Sequence, residues 1–352
     1  MEQIIENLCE EAAQIGVFLP LIPTTDIIKQ PTDLHGIQLK NRAAVMISAC
    51  YDADENGAPT QATITRYCNA AKRIDCGMFW SEPIAVSAEA RSDAHQLMLT
   101  EQNADAFKKL CDAVKEATGG AVMIALLDHA GRNAMQPSSL EKCEYLNNCE
   151  LIADEKIPAV AADCAIAAKA AETAGFQGAA LNVCDRNLFA DSLAAFHRDG
   201  KFGGDFSDRS RLVRDCFTAM RIATTDNVFL TIRLCLSDGL PQPYGYGMAF
   251  EDETAPDLSE SVLLLQILQA LYGVKLVACE VGTPNKNWLC KDTPESELIR
   301  TSRLCTCIAM LDSALQQNVQ LILPKHNTEI PFANLAAGMI SGEFASFAGF
   351  TQ

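Results

Sequence analysis

A chain of 352 residues, 49% hydrophobic and 21% charged, has a globular composition, and its formal net charge of −17 argues against a grip on nucleic acid, which rests on Lys and Arg neutralising phosphates. No apolar run reaches the ~18 residues of a membrane-spanning helix, so no membrane association is expected. The acidic start Met1-Glu2-Gln3-Ile4-Ile5-Glu6 lacks the basic opening of an export signal, which predicts a cytoplasmic protein.

In chain order, the first pattern is an apolar stripe at helical spacing, Ile4, Ile5, Leu8, Ala12 and Ile15. It predicts an N-terminal helical extension over residues 1–22, ahead of a barrel over residues 23–352. Eight β-rich runs follow: Ala43–Cys50, Gly77–Val86, Ala121–Asp128, Gly178–Cys184, Val228–Leu234, Lys275–Val281, Val319–Pro324 and Phe344–Phe350. Between them lie helical patterns at Thr60–Lys72, Ala104–Glu116, Ile157–Ala174, Asp208–Ile222, Leu258–Tyr272, Glu295–Gln316 and Pro331–Ser341. Runs such as Val122-Met123-Ile124-Ala125-Leu126-Leu127 are apolar at every position, as a strand buried on both faces requires. Gly119-Gly120, Gly175 and Gly273 punctuate helix ends ahead of the next strand.

Eight βα alternations predict a single-domain TIM (β/α)8 barrel, with any active site at the C-terminal ends of its strands. The competing architecture is a doubly wound open sheet. It usually opens with a glycine-rich phosphate turn, and Cys50-Tyr51-Asp52-Ala53-Asp54 offers none. No helix is expected after strand eight, so the N-terminal helix, or a second subunit, is expected to cover that strand. The fifteen cysteines include no C-x-x-C pair; the closest couple is Cys305 and Cys307. Most read as buried reduced thiols, Cys50, Cys76, Cys235 and Cys279 among them, and no metal site is expected.

Several segments carry a further pattern. They are Leu39-Lys40-Asn41-Arg42 before the first strand, Asp128-His129-Ala130-Gly131-Arg132 after the third, Ala174-Gly175-Phe176-Gln177-Gly178 before the fourth, Gly200-Lys201-Phe202-Gly203-Gly204-Asp205-Phe206-Ser207-Asp208-Arg209 after it, and Pro241-Gln242-Pro243-Tyr244-Gly245-Tyr246-Gly247 after the fifth. From about Leu34 to Phe350 the chain resembles the old yellow enzyme family of FMN-dependent NAD(P)H oxidoreductases. Its pattern is most similar to the barrel of the larger NADH:flavin oxidoreductase and 2,4-dienoyl-CoA reductase-like members. The resemblance implies a hydride passed from NAD(P)H through FMN to an activated alkene, a small-molecule acceptor, with a protein acid supplying the proton.

The same resemblance places the substrate-polarising and proton-donating positions after strand four at Asn182, Asp185 and Asn187, and all three differ from the family's residues. Asn187 has no proton of suitable pKa, and a carboxylate at Asp185 would repel developing enolate charge. The flavin-contacting positions fall on Ser48 after strand one, Glu82 at the end of strand two and facing the mouth, Arg233 on strand five, Lys325 after strand seven and Gln352 after strand eight. Leu126 stands where relatives place a Gln against the flavin edge. Lys325 and His326 are candidates to replace the family's phosphate turn, and His129 reads as loop support. The chain ends before the cysteines that hold an iron–sulfur cluster in larger relatives, so none is expected, and an active enzyme would take electrons from NAD(P)H directly or from a separate reductase. Two functions stand side by side: an FMN-dependent oxidoreductase with altered contacts, or a catalytically impaired homologue, a pseudoenzyme, that acts as a partner subunit or binds another ligand. A homo-oligomer is compatible with either.

Overall fold

The computed structural model describes residues 1–34, 36–147, 149–252, 255–282, 294–325 and 329–352. After helix α1 (Glu2–Gln14) the chain alternates: β1 (Ala43–Met46), α2 (Gln61–Arg73), β2 (Met78–Ala85), α3 (Ala104–Thr118), β3 (Val122–Asp128), α4 (Ile157–Ala174), β4 (Gly178–Val183), the short helices α5 (Leu188–Leu193) and α6 (Phe206–Arg209), α7 (Arg211–Ala223), β5 (Phe229–Ser237), α8 (Ser259–Tyr272), β6 (Leu276–Val281), α9 (Pro294–Leu315), β7 (Gln320–Pro324), α10 (Phe332–Ser341) and β8 (Phe347–Thr351). The eight strands pair in parallel and in sequence order, and β8 closes on β1, so the sheet is a closed barrel and not an open doubly wound one. No described helix is long and apolar enough to cross a membrane.

Helix boundaries follow local chemistry. Thr60 and Thr63 form a reciprocal capping box at the start of α2. Gly119, Gly175 and Gly273 end α3, α4 and α8 in the left-handed conformation, where a side chain would be strained.

Every residue of β3 is buried, as its unbroken apolar run requires. Alternate strand residues separate two cores. Ala44, Met46, Met78, Trp80, Ile124, Leu126, Ala180, Ala278, Ile322 and Phe347 fill the barrel interior. A hairpin of Thr32–Leu34 with Ile37–Leu39 adds Leu34 and Leu39 to that core. Val45, Phe79, Leu127, Leu181, Ile232 and Leu323 face the helices. Asn41 ties the start of β1 to that of β2, because its Oδ1 accepts from the Gly77 N–H at 2.7 Å and from Ala43 N–H at 3.1 Å.

The N-terminal helix departs from its expected place. It buries Ile5 and Ala12 and packs against α9, the helix after β6, while Ile4 is exposed. The side near β8 and β1 is reached by the segment that follows. Ile28 O accepts from Arg42 N–H at 2.8 Å, and Asn334 on α10 donates to Ile22 O at 2.8 Å and Pro23 O at 3.1 Å. A Cβ on Gly338 would lie 1.6 Å from Pro20 O. Gly338→Ala is therefore expected to push this segment off α10 and to cost about 1–3 kcal/mol, read as a lower urea midpoint. An unchanged midpoint would show that the contact contributes nothing.

All described cysteines are free thiols. Cys76, Cys235 and Cys279 are buried as expected, but Cys50 lies beyond β1 and is exposed.

Candidate functional site

The C-terminal ends of the strands open into a cleft of about 590 Å³. Strand periodicity chooses its lining. Two residues beyond inward Leu126 comes Asp128, two beyond Ala180 comes Asn182, and two beyond Ala278 comes Glu280; all line the cleft. Met46 and Ser48 from the β1 end, Arg233 from β5 and Thr351 from β8 complete the ring.

At its base Asp128 is buried, and its Oδ1 accepts from Asn182 Nδ2 at 2.9 Å and from Asn187 Nδ2 at 2.8 Å. Burial pushes this carboxyl up to about 6, against the pull of the two amides, and Asp185 nearby adds to the rise. Asn187 also caps α5, its Oδ1 accepting from Ala190 N–H at 2.9 Å, which fixes its amide orientation. The neighbouring Asn182 is 2% exposed, and its Oδ1 has no hydrogen-bond partner.

Across the cleft, Arg233 is held by Glu280 Oε1, at 2.7 Å from Nη2 and 3.2 Å from Nε, and its Nη1 lies 3.7 Å from Asp185 Oδ2. Asp185 and Arg186 have φ of 59° and 51°, two successive left-handed residues. Asp tolerates this conformation, but Arg does not favour it. Arg186 is fixed there by buried ion pairs to Asp191 at 3.1 Å and Asp238 at 2.8 Å. Arg132 meets the same Asp191 at 2.9 Å. All three guanidinium groups that line the cleft thus have carboxylate partners.

Among the residues singled out from sequence, Ser48, Asn182, Asp185, Asn187 and Arg233 come together here. Glu82 does not. The pairing of β2 with β3 slips between Trp80 and Pro83, a bulge that reverses the facing of the residues beyond it. Ser81 and Pro83 line the cleft, while Glu82 turns toward α2, where Arg66, Tyr67 and the Cys50 N–H bond its carboxylate. Lys325 is exposed at the end of β7, and its N–H is bonded to Gly349 O at 2.7 Å. His326 lies outside the described residues. Gln352 lines an adjoining cleft beside α2, shared with Ser48. Ser48 N–H donates to Gln352 O at 2.9 Å and Gln352 N–H to Met46 O at 3.0 Å.

His129 is buried, with Nδ1 accepting from the Gly131 N–H at 3.2 Å, and burial lowers its pKa to about 4. Gly131 has φ of 58°, and a Cβ there would meet Leu188 N at 2.5 Å, so the turn must be glycine to let α5 approach. The loop after β3 is a scaffold for α5.

Sequence reasoning passed over Asp128 and Glu280 as site groups. The available signal was a charged residue ending an otherwise apolar strand, where barrel sites are built.

Residues 28–246, more than half the chain, match the NADH:flavin oxidoreductase / NADH oxidase family. The chain belongs to that family. Among solved structures, a 2-naphthoyl-CoA reductase in complex with 2-naphthoyl-CoA matches with a TM-score of 0.79 and 17% identity over 93% of this chain. The chain spans only 50% of that protein's length. An old yellow enzyme homologue from Zymomonas mobilis matches at 0.69 and 18% identity, over 92% of this chain and 88% of its own. Morphinone reductase matches at 0.68 and 17% identity, over 92% and 85%. At such identities these likenesses speak for the shared barrel alone. No curated protein matches in sequence. For an NADH:flavin oxidoreductase family member, FMN and NAD(P)H are the implied cofactors.

Proposed function

We propose that this family member binds a small ligand other than FMN in its barrel mouth and does not carry out FMN-dependent reduction of activated alkenes. The engagement of Arg233 carries this reading. A guanidinium bonded twice to Glu280 and faced by Asp185 has its charge compensated before any ligand arrives. It is poorly placed to stabilise an anionic ring.

The rest of the mouth supports the same reading, because the described residues do not fit FMN. Leu126 presents hydrocarbon to the cleft where a flavin's polar edge would need hydrogen bonds. The N–H groups of Ser48, Lys325 and Gln352 are spent on neighbouring carbonyls, and so are not free to hold a phosphate. The three guanidinium groups that line the cleft, on Arg132, Arg186 and Arg233, are already paired with Asp191, Asp238 and Glu280, and Asp128 and Asp185 stand beside them, a charge arrangement unfavourable to a phosphate dianion.

The test is the visible spectrum of the full chain, purified, incubated with excess FMN and desalted. The expected result is no retained flavin band near ~450 nm and no NAD(P)H oxidation with an enone acceptor. A stoichiometric band bleached by NAD(P)H would overturn the proposal and make the chain a flavin oxidoreductase.

A further inference from the structure

The base of the cleft is built to accept hydrogen bonds. Asn187 cannot turn its amide, because Ala190 N–H occupies its Oδ1 and Asn182 O accepts from its Nδ2 at 2.6 Å. It therefore donates to Asp128. An ionised carboxylate can only accept, so Asn182 must also turn Nδ2 toward Asp128. Asn182 Oδ1 is thereby aimed away from Asp128, buried and without a partner. Both amide bonds end on Asp128 Oδ1, which leaves Oδ2 for a ligand. Asp185 lines the same cleft. A buried acceptor left empty beside two carboxylates is costly unless something donates to it.

We infer that the mouth is a recognition site for a small molecule carrying a protonated nitrogen, an ammonium, amidinium or guanidinium group, held by Asp128 and Asn182 with Asp185 adding charge. The N–H bonds of such a group fill the empty acceptor, and its charge offsets the carboxylates without competing for Arg233, which Glu280 already holds. Asp128 and Asn182 are the specificity-determining residues. This rests on the reading that FMN does not take the mouth.

The experiment is calorimetric titration of the full chain at about pH 8 with methylguanidinium, benzylamine and benzamidine, and with benzyl alcohol and benzoate as neutral and anionic counterparts. At least one cation is expected to bind about tenfold or more tighter than either counterpart. Asp128→Asn and Asn182→Leu are each expected to weaken that cation about tenfold or more while the thermal midpoint stays at or above 90% of the unfolding temperature in °C of the unaltered chain. Binding of none of the cations, equal binding of benzoate, or cation binding indifferent to Asp128→Asn would overturn the inference. FMN retention is read separately. No flavin and no cation binding removes this inference alone, whereas a stoichiometric retained flavin bleached by NAD(P)H removes the reading beneath it.

Discussion

Asp191→Asn is expected to destabilise the protein by about 3–5 kcal/mol, because it leaves buried guanidinium groups without their shared counterion. Asp191 is fully buried on α5. Its Oδ1 meets Arg132 at 2.9 Å and Arg186 at 3.1 Å, and its Oδ2 accepts from the Leu140 N–H at 2.8 Å. An amide in the same place loses the charge and turns N–H donors toward donors. Arg186 would keep Asp238 at 2.8 Å and Tyr244 O at 2.9 Å, but its unfavourable φ would lose half of its ionic support. Urea denaturation measures this directly as a lower midpoint at unchanged slope. A change below about 1 kcal/mol would mean that the cluster does not hold the loop after β4.

Asp128→Asn should do the opposite at neutral pH. The folded-state carboxyl sits at about 6, above its ordinary 3.8, so the folded protein binds more protons than the unfolded chain between those values. Stability contributed by this group is therefore full below the lower value and is lost as pH rises through the upper one. The rise corresponds to roughly 3 kcal/mol, at about 1.4 kcal/mol per tenfold. The variant keeps an oxygen for the Asn182 and Asn187 amides and carries no charge. It is expected to exceed the unaltered chain by about 1–3 kcal/mol near pH 8 and to match it near pH 4, read from urea midpoints across pH. A gain that does not change with pH would mean that Asp128 is not the titrating group. A buried carboxylate that destabilises its own fold is what a binding site retains and a scaffold discards.

Much of the fold was legible because it depends on local patterns. The eight strands lie where the apolar runs place them, and α4 spans Ile157–Ala174 as its periodicity predicts. The site was less legible. The facing of Glu82 was obscured by one bulge, which no composition or spacing announces because it depends on how β2 pairs with β3. The N-terminal helix has the predicted stripe, yet a stripe says only that one face must be covered; α9 covers it. Asp185 and Arg233 are far apart in sequence, and only the parallel pairing of β5 with β4 and with β6 sets them 3.7 Å apart with Glu280 alongside.

Sequence alone thus determined the barrel, its strand order and its family, since burial on both faces of a strand, helix capping and motif order are written in neighbouring residues. Tertiary structure decided which charges meet in the mouth. The partners of Arg233, the two amides on Asp128 and the outward turn of Glu82 are set by strand register and loop approach, and electrostatic character follows distance in space, not separation along the chain.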